Sequence, residues 1–143
     1  MEIREFAWPD YAAVRALWAR LGLWKSAIDN PEALAGCLAA NPGLFLVADD
    51  PAAAGRIVGT TIGTFDGRRG YLYHVAVDPD YRRQGIGQTL MQEVLARLWA
   101  RGAVKILLRA HCENHGAIAF YESLGLQVDE HIVGMSIERD SWT

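Results

Sequence analysis

Residues Val75-Ala76-Val77-Asp78-Pro79-Asp80-Tyr81-Arg82-Arg83-Gln84-Gly85-Ile86-Gly87-Gln88-Thr89-Leu90 read as a strand, a turn, a glycine pair and then a helix. That order makes an anion site. Backbone N–H groups entering a helix lack intrahelical acceptors, and the helix dipole adds partial positive charge there, so phosphate oxygens can bind the main chain directly. Glycines at 85 and 87 let a ligand approach with no Cβ in the way. Two other phosphate loops are excluded. A P-loop needs Lys and then Ser or Thr after its last glycine, where this chain has Gln88-Thr89; a dinucleotide fingerprint needs a third glycine, where Leu90 stands. A turn that merely starts a helix would explain the glycines, but it leaves the Asp78-Pro79 turn and the Arg82-x-x-Gly85-x-Gly87 spacing to coincidence.

Upstream, residues 2 to 7 read as a first strand, and Pro9 opens a helix on which Tyr11, Val14, Trp18 and Leu21 recur at helical spacing up to Gly22. Leu23 to Asp29 has no clean period. Asn30-Pro31 supplies an N-cap and a first-turn proline for a second helix carrying Leu34 and Leu38, closed by Asn41-Pro42-Gly43. Leu44–Ala48, Ile57–Phe65 and Tyr71–Val77 then read as an antiparallel meander, with a turn at Asp66-Gly67. Downstream come a helix over 85–101 ended by Gly102, a strand over 104–110, a helix over 115–124 ended by Gly125, and a last strand pair near 126–138. The expectation is an α+β fold (α/β in looser usage): a mixed, mostly antiparallel twisted sheet of about seven strands with four helices, in a single domain of residues 1–143.

Composition agrees. A chain of 143 residues with 51% hydrophobic residues can bury one core. A formal charge of −3 argues against a nucleic-acid backbone as partner, so anion binding must be local. Cys37 and Cys112 form no C-x-x-C pattern, and His74, His111, His115 and His131 form no H-E-x-x-H, so two ordinary thiols and no metal are expected. There is no G-x-S-x-G elbow for a serine nucleophile. The opening Met1-Glu2-Ile3-Arg4-Glu5 is acidic where a secretory signal is basic, and no apolar run approaches the roughly 18 residues a membrane span needs. A soluble, cytoplasmic protein without a membrane partner is expected.

The R-x-x-G-x-G stretch preceded by V-A-V-D-P-x-Y resembles the acyl-CoA-binding motif of the GNAT superfamily of N-acetyltransferases. Asn114-His115-Gly116-Ala117-Ile118-Ala119-Phe120-Tyr121-Glu122-Ser123-Leu124-Gly125 resembles that family's second signature, N-x(6)-Y-x-x-L-G. The order of elements from 2 to 138 is similar too, and the brevity and opening residues are similar to small bacterial YpeA-like members. The resemblance implies acetyl-CoA as donor, with its pantetheine arm along Val75, Ala76 and Val77 and its pyrophosphate on the amides of Arg83, Gln84, Gly85, Ile86, Gly87 and Gln88. The side chains of Arg82 and Arg83 would either serve the loop or touch the cofactor. The family's fold also implies that two parallel strands, here 71–77 and 104–110, splay apart at their C-terminal ends, where ligands of parallel strands bind.

The implied reaction moves an acetyl group to a primary amine by direct transfer in a ternary complex. A lysine-like amine has a pKa near ~10.4, so the site must remove a proton or lower that value. The backbone N–H of Val77 is expected to stabilise the thioester oxygen as charge develops. By resemblance, Tyr121 is the general acid toward the departing thiolate, and Asn114 positions the cofactor. Asn114 is also a good N-cap, and Tyr121 shares a helical face with Ala117, Phe120 and Leu124, so both also have purely structural readings. In some relatives a glutamate lies five residues before the asparagine; here that position is Arg109, which cannot serve as a base. Glu113, His111 and His74 are the candidates for the base, directly or through water. Trp24, Lys25, Asp29 and Asp66 are candidates to line the acceptor site of an amine-bearing small molecule or protein, although Asp29 and Asp66 are also ordinary turn residues. A monomer or homodimer is expected. The rival reading is a non-catalytic acyl-CoA-binding sensor or interaction module of the same fold.

Overall fold

The computed structural model describes residues 1–142. Five strands, β1 (Glu2–Glu5), β2 (Phe45–Asp50), β3 (Arg56–Phe65), β4 (Arg69–Val77) and β5 (Lys105–Leu108), form one sheet in chain order. The first three pairings are antiparallel and the last, β4 with β5, is parallel. Tight turns suffice for the antiparallel hairpins, whereas the parallel step needs a crossover, which is the helix α4 (Ile86–Ala100). The β3–β4 turn is fixed by Asp66, whose Oδ1 accepts the N–H groups of Arg68 (2.8 Å) and Arg69 (2.7 Å).

The helices start where the sequence supplies caps. A 3-10 turn over Trp8–Asp10 contains Pro9 and leads into α1 (Tyr11–Arg20). Arg4 of β1 donates to both carboxylate oxygens of Asp10 and, through Nε, to Asp49 of β2 (2.7 Å), joining the first strand to the start of α1. The Asn30 side chain accepts the Ala33 N–H (2.9 Å) and caps α3 (Pro31–Ala40) as expected. Between them lies α2 (Ser26–Asp29), absent from the sequence reading because one turn of helix has no apolar period. Asp29 closes that turn, its Oδ2 accepting the Lys25 N–H at 2.8 Å.

The sheet is covered on both faces. On one face Val14 and Trp18 of α1 and Leu34 of α3 pack with Phe45, Val47, Ile57, Ile62 and Ala76 of the strands. On the other, α4 lies almost directly on strand backbone. A Cβ added to Gly59 would stand 2.8 Å from Leu90, and one added to Gly63 would stand 2.9 Å from Val94. Glycine in a strand interior normally weakens it, but here it admits a helix at close range.

The chain divides into two compact units, Met1–Arg109 with the whole sheet and the first four helices, and a second from Ala110 onward. The second contains α5 (His115–Ser123), whose terminal turn is closed by Gly125 at φ +97°. The expected fold class holds, with two corrections. Among the described residues there are five strands, not about seven, and five α-helices, not four. The strand pair near 126–138 does not form: that segment carries no strand, and Val133, Met135 and Ile137 are exposed. Alternating apolar residues suit a strand only where a ladder partner and a face to cover exist, and among the described residues this segment pairs with none.

Candidate functional site

The parallel ladder between β4 and β5 stops early. Its pairs run Arg69–Lys105, Gly70–Ile106, Tyr71–Leu107 and Leu72–Leu108, so β4 continues from Tyr73 to Val77 with no β5 partner beside it. β5 is paired along its whole length and ends at Leu108, so β4 outruns its partner at the end where a splay between 71–77 and 104–110 was expected. On the other side β3 stays paired, Gly59 opposite Val77 and Thr60 opposite Ala76. The Asp78 N–H donates to the Val58 carbonyl at 2.8 Å, and adjacent residues of an antiparallel ladder alternate in direction, so the Val77 N–H points away from β3, toward the open side.

The strand then enters the anion turn. Pro79–Tyr81 forms a 3-10 turn, Arg82 is extended, Arg83 has φ +66° and Gly85 has φ +78° as the residue before α4. No side chain caps this helix start, and Arg82, Arg83, Gln84 and Gly85 are exposed. The leading amides of α4 are therefore presented to whatever binds there. Val75, Ala76 and Val77 lie on the open strand, and the run from Arg82 to Gln88 lies on the turn and first helical residues, as the sequence reading has it. Neither Arg82 nor Arg83 makes an ion pair among the described residues.

The loop is held instead by Asp78, which the sequence reading passed over as a turn residue. Its side chain is 2% exposed; Oδ1 accepts the Asp80 N–H (2.9 Å) and Arg20 Nη2 (2.5 Å), and Oδ2 accepts Arg56 Nη2 (2.6 Å). Burial alone would raise the Asp78 carboxyl, but the Asp80 N–H and the two guanidinium groups outweigh it and hold it below the usual carboxylate range. The Tyr81 hydroxyl donates to Asp50 (2.8 Å), and that bond, with some burial, pushes the phenol up. Strand β3, helix α1 and the end of β2 thus all grip the bend.

In the second unit, Asn114 accepts the Ala117 N–H at 3.1 Å and caps α5, as its structural reading required. Burial raises the Tyr121 phenol, which stays protonated over a wider pH range. Its ring lies 5.5 Å from that of Phe120. Glu113 is exposed, its N–H donating to His111 Nδ1 at 3.2 Å. Of the acceptor candidates in the first unit, Asp66 is engaged by its own turn. Trp24 lies under the Arg15 guanidinium (4.2 Å), Lys25 is exposed, and Asp29 is buried against His74. A cleft of about 390 Å³ lined by Phe65, Asp66, Arg69, Tyr71 and Leu107 lies at the opposite, N-terminal end of β4 and does not coincide with the unpaired stretch.

The acetyltransferase (GNAT) family profile matches residues 1–126. The chain belongs to the GNAT family. Among its relatives, an acetyltransferase of Pectobacterium atrosepticum is 40% identical over 124 residues, covering 87% of this chain and 86% of that one. An acetyltransferase of Sodalis glossinidius is 37% identical over 133 residues, covering 93% and 92%. The fold is also similar to the PaiA N-acetyltransferase of Thermoplasma acidophilum solved with coenzyme A, at a TM-score of 0.76 and 20% identity, covering 90% of each chain. As a GNAT enzyme the chain is an N-acetyltransferase, and its general chemistry is acetyl transfer from acetyl-CoA. The open edge of β4 and the uncapped start of α4 fit a donor that carries an amide-bearing arm and a diphosphate. No described helix is long and apolar enough to cross a membrane.

Proposed function

We propose that this enzyme moves the acetyl group of acetyl-CoA directly to a primary amine within a ternary complex, as one domain of residues 1–143 working in the cytoplasm. One observation carries the reading: β4 leaves its parallel partner at Leu72 and runs, unpaired on that side, into a helix start with no side-chain cap. The pantetheine arm lies along Val75, Ala76 and Val77, and the pyrophosphate rests on the amides from Arg83 through Gln88, with Arg82 flanking. The Val77 N–H receives the developing oxyanion charge. Tyr121 delivers a proton to the departing sulfur, Asn114 aligns the donor, and Glu113 is a candidate to take the amine proton. The acceptor is an amine-bearing small molecule or protein, and the brevity of the chain favours the YpeA-like subgroup.

The second reading, an acyl-CoA sensor without turnover, is favoured by Arg109 standing where some relatives carry a glutamate. Calorimetric titration with acetyl-CoA, beside a thiol-release screen over peptide N-termini, lysine, polyamines and aminoglycosides, separates the two. Binding with thiol release is expected. Gly87→Glu, which places a carboxylate at the anion turn, is expected to weaken acetyl-CoA by at least about tenfold. Binding without release on any amine favours the sensor, and an unaltered affinity in Gly87→Glu overturns the loop assignment.

A further inference from the structure

His74 sits inside β4 with φ +48°, a left-handed conformation rarely taken by a side chain other than Gly, Asn or Asp. It occupies an irregularity in the ladder: Tyr73 opposes Ile62 and Ala76 opposes Thr60, so two residues of β4, His74 and Val75, stand against Thr61 alone. Bulges re-aim side chains, and this one turns the His74 ring onto α1 and α2. The ring lies 4.4 Å from that of Trp18, whose Nε1 donates to the Thr60 hydroxyl (2.9 Å), which in turn donates to the His74 carbonyl (2.8 Å). The backbone conformation is thus held by a buried hydrogen-bond chain.

The ring faces one charged group. Asp29 of α2, 3% exposed, places both carboxylate oxygens 2.9 Å from His74 Nε2. From α1 comes the Trp18 indole, and the nearby Tyr11 phenol donates to the main-chain carbonyl of Asp29 (2.7 Å), not to its carboxylate. From β3 comes the Thr60 hydroxyl. An ionised carboxylate only accepts, so Nε2 donates to Asp29, and in the neutral ring the lone pair lies on Nδ1. Nδ1 has no hydrogen-bond partner among the described residues. Nor is it among their buried, unpartnered polar atoms, which are Trp24 Nε1 and Thr61 Oγ1, so it keeps contact with solvent. A carboxylate that sets the tautomer of a histidine with one free nitrogen is the arrangement by which such rings accept protons.

We infer that the Asp29–His74 pair, carried by α2 and the β4 bulge, is the proton acceptor for the amine substrate, with Asp29 the positioning residue that holds His74 Nδ1 ready. The inference rests on the proposed transfer to an amine. His74 lies three residues before Val77 on the same strand, and a water carries the proton between acceptor and ring. One proton of the ammonium group passes to Nδ1, and the imidazolium charge is balanced by Asp29. The neutral nitrogen then forms its bond to the acetyl carbon while the carbon–sulfur bond breaks, the sulfur takes a proton from Tyr121 to leave as a free thiol, and the amine's second proton restores the phenol. The proton on His74 returns to solvent, one per turnover.

The test pairs a structural readout with a kinetic one on the full chain. Long-range 1H–15N spectra of histidine-labelled protein should show His74 protonated at Nε2 and bare at Nδ1 in alkaline solution, and Asp29→Asn should disturb that preference. His74→Asn retains a residue tolerant of positive φ, so native circular dichroism and acetyl-CoA affinity within about twofold of wild type are expected. With the best amine from the screen, it should lower kcat by about 100-fold and remove the acid limb of the kcat/KM profile. Asp29→Asn should lower kcat by about tenfold and displace that limb. An unaltered limb in folded His74→Asn, or a proton resident on Nδ1 of wild type, overturns the pair while leaving acetyl transfer intact. A wild type that binds acetyl-CoA yet releases no thiol with any amine overturns both.

Discussion

Arg83 at φ +66° holds a conformation that costs a non-glycine residue roughly 1–2 kcal/mol, two residues before a glycine that adopts it freely. The grip on Asp78 and Tyr81 just upstream sustains that strain. At this scale the sequence was partly legible. Gly85 declared itself by its residue type, which leaves no Cβ before a ligand and also takes φ +78° without strain. Asp78 did not, since it is made an anchor by arginines 58 and 22 positions away, and a local reading sees only an Asp-Pro turn. Asp29 was a candidate for the acceptor site, but its pairing with His74 was opaque for the same reason, the partner lying 45 positions along the chain. For Tyr121, whose phenol burial has raised, Tyr121→Phe should lower kcat about 10- to 100-fold with the KM for acetyl-CoA unchanged. Steady-state thiol release checks this, and unchanged turnover removes the residue from the mechanism.

Elements were legible where they end on local chemistry. Asn30 caps α3, Gly102 (φ +102°) closes α4 and Gly125 (φ +97°) closes α5, all as residue type dictates. The segment 126–138 misled for a converse reason: alternation is a property of sequence, but a strand is a property of a pair. What periodicity could not show at all is the bed of α4. Gly59 and Gly63 were absorbed into a strand whose apolar content looked sufficient without them. Gly63→Val should push Val94 and the helix away from β3 and cost about 1–3 kcal/mol by overpacking, read as a lowered urea midpoint. Because the proposed diphosphate site lies at the first turn of α4, acetyl-CoA affinity should fall with it. A variant of wild-type stability and affinity would show that the helix does not need this close seat.

For the molecule as a whole, ample apolar content correctly announced a buried core. The pH range of stability follows from its carboxylates. Asp10 is held below the ordinary range by its bonds to Arg4, against the opposing effect of burial, and Asp78 likewise against burial by Asp80 and the two arginines. Groups whose folded values lie below the unfolded value of about 3.9 bind fewer protons folded than unfolded, so the stability they supply is complete above about pH 4 and is lost as pH falls through the lowered values. Urea midpoints from pH 7 downward should therefore stay level with respect to these groups until about pH 4 and then drop, and Asp10→Asn should flatten the drop. An unaltered drop in that variant would assign acid sensitivity elsewhere.

The early end of the β4–β5 ladder has one more consequence. From Tyr73 to Val77, at about 3.3 Å per residue, roughly 16 Å of interior strand edge offers peptide groups to any extended chain that can match their spacing. Such an edge does not distinguish a cofactor's amides from those of a stray polypeptide by chemistry, only by length and by what lies at its far end. The diphosphate site proposed for the bend at that end would then do double duty, tethering the right guest and leaving an unphosphorylated strand with too short a foothold to stay.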